Sequence, residues 1–384
     1  MRKLTGLLLV LGLCAPGLAA QGAIGKRVPV QAGSPEDKAL TAISNETDAA
    51  KKVALAEKYA EEFGKDGGAI PAYELLMADF GAQKDYDRAF EYGDKILKID
   101  PDNFAAASFL TRMAQEKGDT AQMFARGEQV GQILQRFDAA PPPSGTDAET
   151  WQAQKRVTLN ELNDQIRYIE YNLFNAAYTT GDAAQRAALL ERFVAAFPRS
   201  QYANPAQQLV AASYQQAQNF PKMLEFANGV LARDPNNIGM LLLLADHLSS
   251  SGQQLDKAEA NAKKALELLG TAQKPEQVSD ADWARQKSLQ QGLAQSALGQ
   301  VYVTQKKYPA AIEAFKAAGP LLKSDSNTYG RNLYRLGFTY ALMKNNTEAR
   351  KALTEAISVD SPYKSLAQET LSKLGPAPPP KKRG

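Results

Sequence analysis

His247 is the single histidine and Cys14 the single cysteine in a chain of 384 residues. A Ser/His/Asp or Cys/His catalytic set therefore has one histidine to draw on. That histidine lies in an apolar run, Leu241 to Leu248, where a packing role suits it better than work as a general base. No serine or cysteine stands in a G-x-S-x-G elbow, and no P-loop, G-x-G-x-x-G, H-E-x-x-H or EF-hand spacing occurs. One cysteine and one histidine likewise exclude a disulfide framework and a Cys/His zinc site. The acidic residues fall mainly in cap-like, solvated contexts such as Asn45-Glu46-Thr47-Asp48. The sequence thus predicts no enzyme: no catalytic residue, no metal and no cofactor.

The remaining chemistry is that of recognition. Tyr168, Tyr171, Asn172, Asn175 and Tyr178 are spaced so that a helix would project them all from one side, offering hydroxyls and amides to a partner. The same spacing also suits half-buried packing tyrosines of an irregular hairpin, and both readings stand at this level. A second set, Arg331, Tyr334, Arg335 and Phe338, mixes guanidinium and aromatic groups as interface anchors do. Lys and Arg number 45 against 42 Asp and Glu, and removing Arg2 and Lys3 leaves 43 against 42, which argues against nucleic-acid binding. Without Lys381, Lys382 and Arg383 the balance is 40 to 42, so long-range steering should be weak and affinity must come from local anchors.

These residues must be positioned by a sizeable core, for which 44% hydrophobic and 23% charged residues suffice. Met1-Arg2-Lys3, the apolar run Leu4 to Leu13 and the small-residue stretch Ala15 to Gln21 have the three parts of a secretory leader. Residues 1–22 are expected to be removed, with the mature protein exported, periplasmic and without stable membrane insertion. Lipidation at Cys14 would require a small residue before it, and Leu13 is not small. Residues 23–35 read as a flexible entry segment, and residues 376–384, with four prolines ahead of Lys381-Lys382-Arg383, as an extended basic tail.

Between these ends the chain repeats at two scales. Tyr73, Leu76, Phe80, Lys84-Asp85-Tyr86, Ala89, Tyr92, Ile96 and Asp100-Pro101-Asp102-Asn103 form one unit. Leu298-Gly299-x-x-Tyr302 with Ala311, Phe315 and Ala318 forms another, as does Leu336-Gly337-x-x-Tyr340 with Ala349, Leu353 and Ala356. A further copy ends in Asp234-Pro235-Asn236-Asn237 and carries Met223 where alanine is usual. At the long scale, Asp48 to Asn103 aligns without gaps onto Asp182 to Asn237 at an offset of 134. Thr146 and Ser279, each followed three residues later by an acid and soon by Trp-x-x-Gln-Lys, read as N-caps of corresponding helices.

This pattern resembles the tetratricopeptide repeat, a helix-turn-helix whose large residues fill the gap between paired helices while alanines allow close approach. The resemblance, over roughly Glu36 to Leu374, implies an all-α solenoid of about eight hairpins plus a closing helix, wound as a right-handed superhelix with a concave face. A first block would span 36–169 with a loop at 138–145, and a second 170–375 with a loop at 270–278. Ligands in this family usually lie along the first helices of successive hairpins. Arg331 and Arg335 resemble the basic half of the carboxylate clamp of chaperone-binding members, but Leu242, Asp246 and Ala297 stand where that clamp would need Lys or Asn, so no peptide carboxylate is expected there. The implied function is a non-enzymatic scaffold or adaptor for another protein or peptide in the bacterial cell envelope. The alternatives are a carrier or sensor of a small apolar or glycan ligand and an accessory subunit of an envelope enzyme.

Overall fold

The structure is a computed structural model that describes residues 24–276 and 278–375. The expected leader with Cys14, the Pro-rich basic tail and Gln277 of the second loop lie outside the described residues. Among the described residues the chain is helical, without strands. In order the helices are α1 (Pro35–Asn45), α2 (Ala49–Phe63), α3 (Ile70–Ala82), α4 (Tyr86–Ile99), α5 (Phe104–Lys117), α6 (Thr120–Ala139), α7 (Ala148–Tyr178), α8 (Ala183–Ala196) and α9 (Ala203–Gln216). They continue with α10 (Phe220–Arg233), α11 (Ile238–Ser251), α12 (Leu255–Thr271), α13 (Asp280–Thr304), α14 (Tyr308–Leu322), α15 (Ser326–Leu342), α16 (Asn346–Ser358) and α17 (Lys364–Lys373). In chain order α1 packs on α2, α3 on α4, α5 on α6, α7 on α8, α11 on α12, α13 on α14 and α15 on α16, with α17 closing on α16, the helical hairpins that the repeat pattern predicts. The chain divides into two compact units, up to Ser213 and from Tyr214 on. This boundary falls within α9, later than the block boundary read from the repeats.

One turn closes most hairpins. A residue in the left-handed region ends the first helix at Lys84, Gln218, Lys306 and Lys344, with φ from 54° to 61°, and at Gly118 and Gly252. The amide that follows reaches back five residues: Asp85 N–H donates to Phe80 C=O at 2.9 Å, Asn219 to Tyr214 at 2.8 Å, Lys307 to Tyr302 at 2.8 Å and Asn345 to Tyr340 at 2.9 Å. This is the Schellman C-cap, which satisfies carbonyls that the helix end would leave bare. The Asp85, Asp119, Asn219 and Asn345 side chains then accept the third amide of the next helix, so a stop and a start fit into two or three residues.

Hairpin packing follows the small residues. Ala89, Ala258, Ala265, Ala311, Ala318, Ala349 and Ala356 are all fully buried, as are Phe80, Phe315 and Leu353. A Cβ on Gly299 would stand 2.5 Å from the Phe315 ring, and one on Gly337 2.7 Å from Leu353, so the glycine of the Leu-Gly-x-x-Tyr signature is what lets the second helix approach. The 134-residue offset is also visible in the helices: α4 maps onto α10, and α5 onto α11, with the same bounds.

Segments outside the repeat depart from expectation. The entry segment is docked rather than loose where it is described. Ile24 is buried, its carbonyl accepts Phe104 N–H at 3.3 Å, and Lys26 N–H donates to Asp100 Oδ2 at 2.6 Å. The N-cap of α7 is Asp147, which takes Thr150 N–H at 2.8 Å, and not Thr146. The helix starts one residue later than a Thr146 cap would place it, and the Asp147 carboxylate accepts its third amide with a full charge. Ser279 does cap α13 and donates in turn to Asp282 Oδ2 at 2.7 Å. The Trp-Gln-Lys signature closes the end of α6: Lys155 Nζ donates to the carbonyls of Asp138 and Ala140 at 2.5 and 2.8 Å, and Trp151 Nε1 to Ala140 at 2.9 Å. The 140–145 loop leaves from this clamp and is largely exposed.

Candidate functional site

The α7 set lies on one helix face. Ile169, Leu173 and Ala177 point into the core. On the other side Tyr168, Tyr171 and Tyr178 are about half exposed, at 46%, 51% and 56%, with Asn175 exposed and Asn172 half-buried. Two lateral supports hold this face. At one end Gln115, on α5, accepts from Tyr168 Oη at 2.9 Å and donates to Asn172 Oδ1 at 2.7 Å, while Asn172 Nδ2 donates to the Tyr168 carbonyl. At the other, Phe174 stacks on Tyr202 and on Tyr178 with ring centroids 5.0 and 6.2 Å apart, and Tyr202 meets Tyr171 at 6.3 Å. Such ring contacts fix the tyrosines at little further entropic cost. Beneath them Glu170 is buried and accepts from Ser200 Oγ at 2.8 Å; burial pushes its carboxyl above the usual range, against the pull of that hydrogen bond and of Arg167.

The α15 set is turned differently. Arg331 Nη1 donates to Asp246 Oδ2 at 2.9 Å, and Arg335 Nη2 to Ser250 Oγ at 2.9 Å. Two residues four apart on α15 thus meet two residues four apart on α11, both pairs separated by 85 in sequence. The arginine side chains retain only 16% and 12% exposure. Burial works against the Arg331 cation, but the charge and hydrogen bond of Asp246 outweigh it and raise its pKa. Burial, with Arg331 beside it, holds Arg335 down at about 10. Tyr334 stacks between Phe338 and Tyr363, each 6.1 Å away, and Phe338 is 39% exposed. Together with Gln300 and Val303 of α13 these groups enclose a cavity of about 180 Å³.

The hairpin α15–α16 carries this second set, and residues 330–363, which cover most of it, match the family model of the tetratricopeptide repeat. That hairpin matches the tetratricopeptide repeat, one unit of the helical-hairpin solenoid described above. No curated protein sequence matches it. Among solved structures it is similar to TTC0263, a thermophilic tetratricopeptide-repeat protein of Thermus thermophilus, at 18% identity and a TM-score of 0.35, over 53% of this chain and 98% of that one. It is also similar to a chain of the anaphase-promoting-complex hetero-tetramer Cut9–Hcn1, at 11% identity and a TM-score of 0.30, over 89% and 90% of the two chains. A third likeness is to a monomeric IFIT1 mutant with m7Gppp-AAAA, at 13% identity and a TM-score of 0.34, over 84% and 68%.

The nine residues picked from sequence fall into two groups, one on α7 and one on α15. Sequence reading missed the partners that hold them: Gln115, Phe174 and Tyr202 for the first, Ser250 and Tyr363 for the second. It noted Asp246 only as a residue unsuited to a clamp, whereas the structure makes it the ion-pair partner of Arg331. The matching four-residue spacings on α11 and α15 were the available signal. His247 is half-buried and stacks on Phe220 at 5.2 Å. Among the described residues no group of three His, Cys, Asp or Glu could hold a metal, and no helix is long and apolar enough to cross a membrane.

Proposed function

We propose that the protein is a non-enzymatic scaffold of the bacterial cell envelope that binds a protein or peptide partner along first helices of its hairpins. The α7 face is the first docking site. The observation that carries this reading is the row of three half-exposed tyrosines, held in place from both ends by Gln115 and by the Phe174–Tyr202 stack. An exposed aromatic that is already rigid can be buried by a partner without first losing conformational freedom, which is how interface anchors earn their affinity. The near-neutral charge of the body agrees with an interface built on such anchors. Export rests on the leader-like first residues, and fractionation of cells that produce the full chain tests it: recovery in the cytoplasm would remove the envelope setting.

The docking site is tested with the purified protein as bait in envelope extract. The captured partner is identified by mass spectrometry and its affinity then measured by calorimetry. Tyr171→Ala with Tyr178→Ala should weaken that affinity by roughly thirtyfold, about 2 kcal/mol, while circular dichroism stays helical. A folded double variant that binds as the parent does would move the site off α7.

A further inference from the structure

The exposed side of α7 continues beyond its tyrosines. Glu161 and Asp164 are exposed and follow the same three- and four-residue steps, so that Glu161, Asp164, Tyr168, Tyr171, Asn175 and Tyr178 form one stripe facing away from Ile169, Leu173 and Ala177. The stripe is acidic at one end and aromatic at the other. Among the described residues neither Glu161 nor Asp164 has an ion-pair or hydrogen-bond partner, and the charge of Arg167 acts on Glu170.

The chain carries a segment with the complementary order. In Pro376-Ala377-Pro378-Pro379-Pro380-Lys381-Lys382-Arg383 the prolines come first and the cations last. Proline-rich segments of this kind favour the polyproline II form, which docks on rows of aromatic rings and has little conformational freedom left to lose. The lengths agree as well. Tyr168 to Tyr178 covers about 15 Å of helix, and Pro376 to Pro380 about 15 Å of polyproline II. From Tyr168 back to Glu161 is about 10 Å, and Lys381 to Arg383 covers about 9 Å.

We propose that the α7 stripe binds the proline-rich basic tail, residues 376–384, of a second copy of this chain. The inference rests on α7 as a docking face and names what docks there. The tail runs antiparallel to α7: its prolines lie on Tyr178, Tyr171 and Tyr168, and Lys381 to Arg383 reach Asp164 and Glu161. Asn175, exposed between two of the tyrosines, donates to carbonyls that polyproline II leaves without internal hydrogen bonds. The stripe takes up nearly the whole tail, so Gly375 of the bound chain must stand beside Tyr178, and a second molecule can bring it there.

The test uses the full chain, a fluorescent peptide of residues 376–384 read by anisotropy, and sedimentation velocity. The peptide should bind saturably at one site, and the full chain should self-associate over the range in which the peptide saturates. Glu161→Lys with Asp164→Lys should weaken the peptide by about tenfold, and Tyr171→Ala with Tyr178→Ala by about thirtyfold, with self-association reduced and the helical spectrum kept. Peptides in which serine replaces the three cations, or the four prolines, should lose affinity likewise, and they decide the matter if a chain variant does not fold. Absence of saturable binding, folded variants that bind as the parent does, or a full chain that stays monomeric where the peptide saturates would overturn the proposal. Tighter binding of the peptide to vesicles of anionic phospholipid than to the chain would also overturn it, by assigning the tail to a membrane. If the peptide fails to bind while the tyrosine variant still loses a captured envelope partner, the tail is excluded and α7 keeps its place as the docking site.

Discussion

Asp100-Pro101-Asp102-Asn103 and Asp234-Pro235-Asn236-Asn237 have nearly the same sequence and nearly the same backbone, yet the two end residues of the first turn are buried while neither end of the second is. Asp100 and Asp234 have φ of −136° and −129°, and Asn103 and Asn237 have φ of −70° and −66°. Both asparagines cap the next helix, accepting Ala106 N–H at 2.9 Å and Met240 N–H at 3.1 Å. Asp100 and Asn103 are each 4% exposed because Ile24 to Lys26 lie across them, whereas Asp234 is exposed and Asn237 half-buried. The Trp-Gln-Lys signature differs in the same way. Lys155 caps two carbonyls, while Lys287 makes no hydrogen bond with the described residues. The repeat fixes local geometry twice over; what a segment outside the repeat lays on top decides burial and energy.

Three paired substitutions can break or sharpen this contrast. The largest effect is expected where the copies differ in the core. Met223 is 1% exposed and Ala89 0%, at equivalent places in α10 and α4. Met223→Ala should cost about 2–5 kcal/mol by opening a cavity, and Ala89→Met about 1–3 kcal/mol by overpacking, both read from urea unfolding. If either is neutral, the two seats are not equivalent. Next, Lys155→Met should cost about 1.5–3 kcal/mol, because the part-buried Asp138 carbonyl loses its charged donor and the Ala140 carbonyl keeps only Trp151, against about 0.5 kcal/mol or less for Lys287→Met. Equal losses would mean that the second lysine has a partner of its own. The smallest effect belongs to the turns: Asp100→Ala should cost about 1–2 kcal/mol and Asp234→Ala within about 0.5 kcal/mol. Gly25→Ala should mimic the Asp100 variant, since its Cβ would stand 2.6 Å from Asp100 Oδ2 at a φ of +110°. Amide hydrogen exchange at Phe104 would show whether the segment has lifted.

Hairpin phase was legible because it is written at short range: alanines and glycines at helical spacing, proline after the second helix and a polar cap before the next. The left-handed residues were not, since Lys84, Gln218, Lys306 and Lys344 stand where glycine is the usual signal. Their φ is imposed by the back-reaching amide bond and by packing on both sides of the turn, which together offset about 1 kcal/mol of strain. The α7 spacing was legible as one face, but its choice between packing and exposure was not, because Gln115 and Tyr202 come from other helices.

Composition and periodicity, read along the chain, settle that this protein is built of helical hairpins, the phase in which they repeat, and which small residues lie between helices. These follow from forces acting over three to seven residues, the range in which a helix turns its side chains to a common side. Folding in three dimensions settles the rest: that Arg331 and Arg335 are held by Asp246 and Ser250, 85 residues away, that Tyr171 and Tyr178 remain exposed on α7, and that Ile24 docks on one of two matching turns. A contact across that separation depends on the summed rise and rotation of every helix between its ends, so no local spacing encodes it.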